Sequence, residues 1–150
     1  MSDQASDEYR GCYVCGTENP SGLRLPFRKD ESGGSRAEYV ARPEHAGWPG
    51  IIHGGLLFTL MDEAVAWASI YAGRHAVTGK AEARFRAPGR VGQRLIVLGW
   101  ITTASRRALK AHAEIREDHD NGPVICELDA LMAVADVGAM AAEAADEHQA

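Results

Sequence analysis

The chain has no basic surplus, no apolar stretch in its first ten residues and too few cysteines for a disulfide framework. Its 150 residues hold 16 Lys and Arg against 21 Asp and Glu, a formal charge of −5. That excess sits at the ends, in Asp3, Asp7 and Glu8 against Arg10 and in Glu143, Asp146 and Glu147, and the stretch between Gly11 and Asp136 is neutral. A nucleic-acid binder needs cationic surface to displace counterions along the phosphate backbone, so no nucleic-acid partner is expected. The start, MSDQASDEYR, is acidic and has no apolar core, unlike a secretory signal or an Arg-rich transit peptide, and a cytoplasmic protein is expected. Cys12, Cys15 and Cys126 cannot all pair within one chain, and a reducing compartment disfavours disulfides, so free thiols are expected. The longest apolar run, Gly54 to Ala72, is long enough for a bilayer, but Asp62 and Glu63 at its centre oppose insertion. No membrane span is expected.

What is present reads as one domain of ordinary soluble composition. Residues 1–10 form an acidic tail expected to be disordered, residues 11–136 the domain, and residues 137–150 an Ala- and Glu-rich tail that is either a weak helix or unstructured. CYVCGTENPSGLRLPF is rich in turn residues and leads to a short strand expected at Leu23–Phe27. SRAEYVARP alternates as a strand ending at Pro43. After the irregular AGWPGIIHGG, a long helix is expected from Gly54 or Gly55 to about Gly73. The second half alternates in four runs, Ala76–Arg86, Arg94–Ala104, Ala108–Glu117 and Val124–Ala135, joined by turn-like segments. They are expected to follow one another as an antiparallel meander, with Ala81, Ala83 and Phe85 turned toward the helix. The fold class is therefore α+β, one long central hydrophobic helix wrapped by an antiparallel sheet.

The helix raises the question of its two acids. Leu56, Leu57, Phe58, Leu60, Met61, Val65, Trp67 and Ile70 leave almost no polar face, so cover is needed on most sides, more than one small sheet offers. A second copy of the chain would supply it. The HGG at the helix start offers unpaired N–H groups and a partial positive charge to an anion or a carbonyl oxygen. Asp62 lies roughly 12 Å along the helix from those donors, too far to meet them within one chain. Two antiparallel helices in a symmetric dimer would bring Asp62 of one copy to the HGG of the other, making two shared sites. The residues by themselves leave a second reading open, in which Asp62 or Glu63 bonds an arginine or a backbone group at a helix contact and His53 merely caps the helix.

The run GWPGIIHGGLLFTLMDEAVAWA, preceded by CYVCGTENPSGLRLPF, resembles the hotdog-fold thioesterases, in particular the phenylacetate-degradation (PaaI-like) and carboxy-terminal-modulator-like acyl-CoA thioesterases, over roughly Cys12 to Asp136. The resemblance implies hydrolysis of an acyl-CoA thioester to a carboxylic acid and free CoA, without cofactor or metal. It implies that Asp62 is the catalytic carboxylate, as general base or as nucleophile forming a mixed anhydride. It implies that the Gly54 N–H polarises the carbonyl, that His53 shapes that end of the site, and that Thr78 orients water or the aspartate. Gly55 and Gly47 are expected to line the substrate site. A homodimer is expected, pairing further into a homotetramer. In one departure, several relatives place an Asn six residues before the His, where this chain has Gly47. Glu63 points about 100° away from Asp62 and is expected to be structural.

Two other readings stand beside this one: a hotdog hydratase or dehydratase acting on an enoyl or hydroxyacyl thioester, and a non-catalytic acyl-CoA-binding module. Trp67, Phe58 and Phe85 are candidate pocket walls or core residues. Arg84, Arg86, Arg90, Arg106, Arg107 and Lys110 are cations available to coenzyme A phosphates, none assigned. Cys12 and Cys15 have the spacing of half a zinc site, but a structural zinc takes four ligands and there is no second CxxC; Cys126 and His45 are the remaining candidates, and no metal is expected.

Overall fold

The computed structural model describes residues 9–149. The expected disorder of the N-terminal tail falls mainly on residues outside these, while Tyr9 packs edge-on against Trp67 with ring centroids 5.9 Å apart. Along the chain come β1 (Arg28–Lys29), β2 (Ser35–Val40), a 3₁₀ turn at Pro43–His45, α1 (Gly54–Tyr71), β3 (Ala76–Phe85), β4 (Arg94–Ala104), β5 (Ala108–Glu117), β6 (Val124–Val134) and α2 (Val137–Gln149). The six strands form one antiparallel sheet in the order β1-β2-β4-β5-β6-β3. The class is α+β, as the sequence pattern implies. No helix among the described residues is long and apolar enough to cross a membrane. The C-terminal tail is the helix α2, without a buried residue.

Two expectations need correction. Leu23–Phe27 is not a ladder strand: Arg24 sits at φ 53° and Pro26 has no N–H, so the segment bonds only Tyr13 and Val14 through Leu23 and Leu25, and pairing begins at Arg28. The last four strands are not a simple meander either. β4, β5 and β6 follow one another, but β3 crosses to the far edge and pairs with β6, from Ala76↔Val134 to Phe85↔Cys126. Short turns force the β4–β5 and β5–β6 hairpins, whereas residues 86–93 are bound elsewhere: Ile52 N–H donates to Gly89 C=O and Val91 N–H to Gly50 C=O. The loop thus runs beneath the start of α1 and carries the chain back across the sheet end. Alternation fixes a strand's face, not its neighbour. Ala81 and Ala83 face the core as expected, but Phe85 ends 52% exposed beside Gly54.

The core lies between α1 and the sheet. Leu57, Leu60, Met61, Ala64, Val65 and Trp67 pack on Leu95, Val97, Leu109, Ile115, Leu128 and Met132. The closest approach of helix and sheet is at Ala64. The Ser35 hydroxyl donates to the Ala64 C=O at 2.6 Å, and a Cβ on the cross-strand neighbour Gly99 would stand 2.6 Å from that oxygen. This contact sets the height of Asp62, two residues away. Gly99→Ala is expected to cost about 1–3 kcal/mol of stability, since backbone has no room to yield, and a urea unfolding midpoint reads it.

Candidate active site

The helix start can be accounted for donor by donor. His53 is the N-cap: its Nδ1 accepts the Gly55 N–H at 2.9 Å, and its carbonyl accepts from Leu56 and Leu57. An acceptor Nδ1 carries no proton, so the neutral imidazole holds its proton on Nε2. Gly54, the first helical residue, has no carbonyl one turn back to receive its N–H, and among the described residues nothing else accepts it. The one open donor at the positive end of α1 is the one the sequence singled out. It faces a cleft of ≈ 460 Å³ lined by Gly47, Trp48, Ile52, His53, Gly54 and Gly55, with Trp48 79% exposed.

Gly47 is explained by the same geometry. A Cβ there would meet His53 Cα at 3.1 Å and Cδ2 at 3.2 Å, so an Asn would push the capping imidazole aside. The turn that follows is closed by Ile51 N–H to Trp48 C=O and uses Gly50 at φ 74°. Gly55 is also constrained, since a Cβ would lie 3.0 Å from His53 Nδ1.

Asp62 and Glu63 are both half-buried and face different surroundings. Asp62 looks toward β3, where the Thr78 hydroxyl donates to Oδ1 at 2.6 Å. No lysine or arginine among the described residues pairs with it, so the alternative of a structural ion pair has no partner. Thr78 lies where the β3–β6 register shifts between Thr78 and Lys80, a bulge at Gly79 that re-aims the side chains around it. Alternation gave the strand but not this irregularity. Glu63 instead accepts from Trp67 Nε1 at 3.1 Å and lies 3.4 Å from Cys12 Sγ. The structure therefore joins Asp62 with Thr78 and, separately, His53 with Gly54, Gly55 and Gly47. Of the candidate walls, Trp67 is buried and packs on Tyr9 and Tyr71, while Phe58 is partly buried against the core. Among the candidate cations, Arg86 pairs with Glu127 at 3.1 Å and Arg84 with Glu82 at 3.9 Å.

One helix laid across a single antiparallel sheet is the hotdog architecture. The family model of the thioesterase superfamily matches residues 49–124, from the turn before α1 to the start of β6, and the chain belongs to that superfamily. Solved structures with the same fold include the thioesterase superfamily protein RHA08564 (23% identity, TM-score 0.76), covering 81% of this chain and 62% of that one. The present chain thus spans less than two thirds of that relative. A hypothetical thioesterase from Streptococcus pneumoniae TIGR4, solved with coenzyme A, is 22% identical with TM-score 0.67, covering 74% of this chain and 85% of that one. PaaI of Escherichia coli, from the phenylacetic acid degradation operon, is 19% identical with TM-score 0.69, covering 76% and 81%. Comparison with curated protein sequences finds no match.

Proposed function

We propose that the protein hydrolyses acyl-CoA thioesters at two sites shared across a homodimer, with Asp62 and Thr78 from one copy and the Gly54 N–H from the other. The observation that carries this reading is the pair of half-sites on one helix: an open N–H donor at its start, and an unpaired carboxylate two turns on, held by a threonine. The S. pneumoniae protein supports it. In solved variants of that protein an aspartate and a threonine are each replaced by alanine, at the separation of 16 residues that Asp62 and Thr78 have here.

The exposed edge supports the dimer. Among the described residues β3 pairs only with β6, leaving ten residues of strand with an open hydrogen-bonding side, a template for a second copy. Along α1, Gly55, Thr59 and Asp62 succeed one another at helical spacing on the flank beside β3. An antiparallel β3–β3 pairing about a two-fold axis would cover that flank and turn the two helices in opposite directions. Further pairing into a tetramer and a cytoplasmic location belong to the same proposal.

In the chemistry, the Gly54 N–H of one copy holds the thioester oxygen as negative charge develops on it, a donor worth about 3 kcal/mol in the transition state. Asp62 of the other takes a proton from the attacking water and returns it to the departing thiolate, so that acyl-CoA and water give the carboxylic acid and CoA thiol. Attack by the carboxylate itself, through a mixed anhydride, uses the same geometry. The wild-type protein is expected to release thiol, followed with a disulfide dye, from members of an acyl-CoA panel; no release from any member would count against the reading.

Thr78→Val keeps the β-branched shape and removes the donor to Asp62. A fall in kcat of about tenfold is expected, with Thr78→Ser close to wild type. Loss in Thr78→Ser with Thr78→Val close to wild type would point to the methyl group rather than the hydroxyl.

A further inference from the structure

About 100° around α1 from Asp62, three ligand-type side chains converge that the thioester chemistry does not use. Cys12 Sγ, Cys15 Sγ and a Glu63 carboxylate oxygen all lie within 4.8 Å of one another. The sequence counted two ligands; the fold brings the third from α1, 51 residues away. They line a cavity of ≈ 170 Å³, completed by Tyr9, Trp67, His75 and Val77 among others, with no lysine or arginine among the residues lining it.

The turn that holds the cysteines is shaped around the first sulfur. Val14 N–H and Cys15 N–H both point at Cys12 Sγ, at 3.4 and 3.5 Å. Gly16 N–H closes the turn on the Cys12 C=O at 3.0 Å, and a Cβ on Gly16 would lie 2.5 Å from both Cys12 N and Cys12 O, so only glycine fits. Two N–H donors on one sulfur favour its thiolate.

We propose that Cys12, Cys15 and Glu63 bind a Zn²⁺ ion, with the fourth coordination position opening on the cavity lined by His75. The separation of Cys12 and Glu63 suits it. Zn–S near 2.3 Å and Zn–O of about 2.0–2.2 Å give tetrahedral S···O edges of roughly 3.5–3.7 Å, against 3.4 Å between Cys12 Sγ and Glu63 Oε1. Thiolates select zinc over the hard cations, and the carboxylate is steadied by the Trp67 indole N–H, as metal ligands commonly are. The ion would tie the segment from Tyr9 to Gly16 to the middle of α1.

The test is Co²⁺ titration of the reduced full chain, read by absorption. Expected are a sulfur-to-cobalt charge-transfer band, the strong d–d absorption of a tetrahedral ion, saturation near one ion per chain, and displacement by Zn²⁺. Cys12→Ser and Cys15→Ser should lose the charge-transfer band, Glu63→Gln should bind at least tenfold more weakly, and Cys126→Ser and Asp62→Asn should match wild type. The wild-type spectrum decides even if a variant fails to fold. A folded wild type with no charge-transfer band, or a band untouched in Cys15→Ser, overturns the site. Reduced protein that binds no cobalt but forms a Cys12–Cys15 disulfide in air overturns it in favour of a redox pair. Because Asp62→Asn leaves the readout unchanged, failure of the zinc site and failure of the thioesterase reading are separate results.

Discussion

Asp62→Asn is expected to fold as wild type and to release thiol from acyl-CoA at least a hundredfold more slowly. The substitution is nearly isosteric. The amide oxygen can still accept from the Thr78 hydroxyl, which holds Oδ1 at 2.6 Å in the native protein, so the geometry of the half-site survives. What is lost is the negative charge and the basicity, the properties that both the water-activating and the anhydride-forming routes require. No cation among the described residues pairs with Asp62, so removing its charge leaves no opposite charge stranded, and stability should change little. The measurement is kcat/KM on the best substrate of the panel, with circular dichroism and gel filtration confirming fold and assembly. Turnover equal to wild type would return Asp62 to a structural role; the hydratase reading would then be tested by the change in enoyl absorbance, and the binding-module reading by acyl-CoA binding without turnover.

Gly54→Pro is expected to lower kcat by about 10²–10³ while leaving α1 intact. Proline at the first helical position is tolerated because the N–H it removes has no intrahelical partner. The neighbours permit it: His53, at φ −58° and ψ 127°, already has the extended conformation that a following proline demands, and a Cβ at position 54 meets nothing closer than Phe85 Cε1 at 3.8 Å. The substitution removes the proposed oxyanion donor and little else. A loss of activity with unchanged thermal stability is the expected result; full activity would mean that another donor holds the oxygen. The two variants also test each other. If the sites are shared between copies, mixing inactive Asp62→Asn and Gly54→Pro proteins under conditions of subunit exchange gives heterodimers with one complete site, recovering about a quarter of wild-type activity at random pairing. Sites built within one chain would recover none.

The sequence by itself determined β2 to β6, the long helix and the chemical character of its two halves. Alternation located β4, β5 and β6 to within a residue, because the period-2 signal of a half-buried strand is local. The span of α1 followed from its apolar run, with Gly73 beyond its end at φ 76°. The resemblance carried by the HGG-to-Asp run pointed to Gly54 and Asp62, and the helical rise placed them too far apart to meet within one chain. Three things were decided only by tertiary structure. β3 went to the far edge because residues 86–93 are tied beneath the helix start, a long-range constraint that alternation does not contain. Thr78 reached Asp62 through a bulge at Gly79, and a glycine in a strand signals an irregularity without saying which side chain it re-aims. Glu63, adjacent to Asp62 in sequence, was carried by the 100° turn of the helix to Cys12 and Cys15, so that two neighbouring acids serve different surroundings. Periodicity is written residue by residue, whereas the meeting of Cys12 with Glu63 exists only once sheet, helix and N-terminal turn have closed on one another.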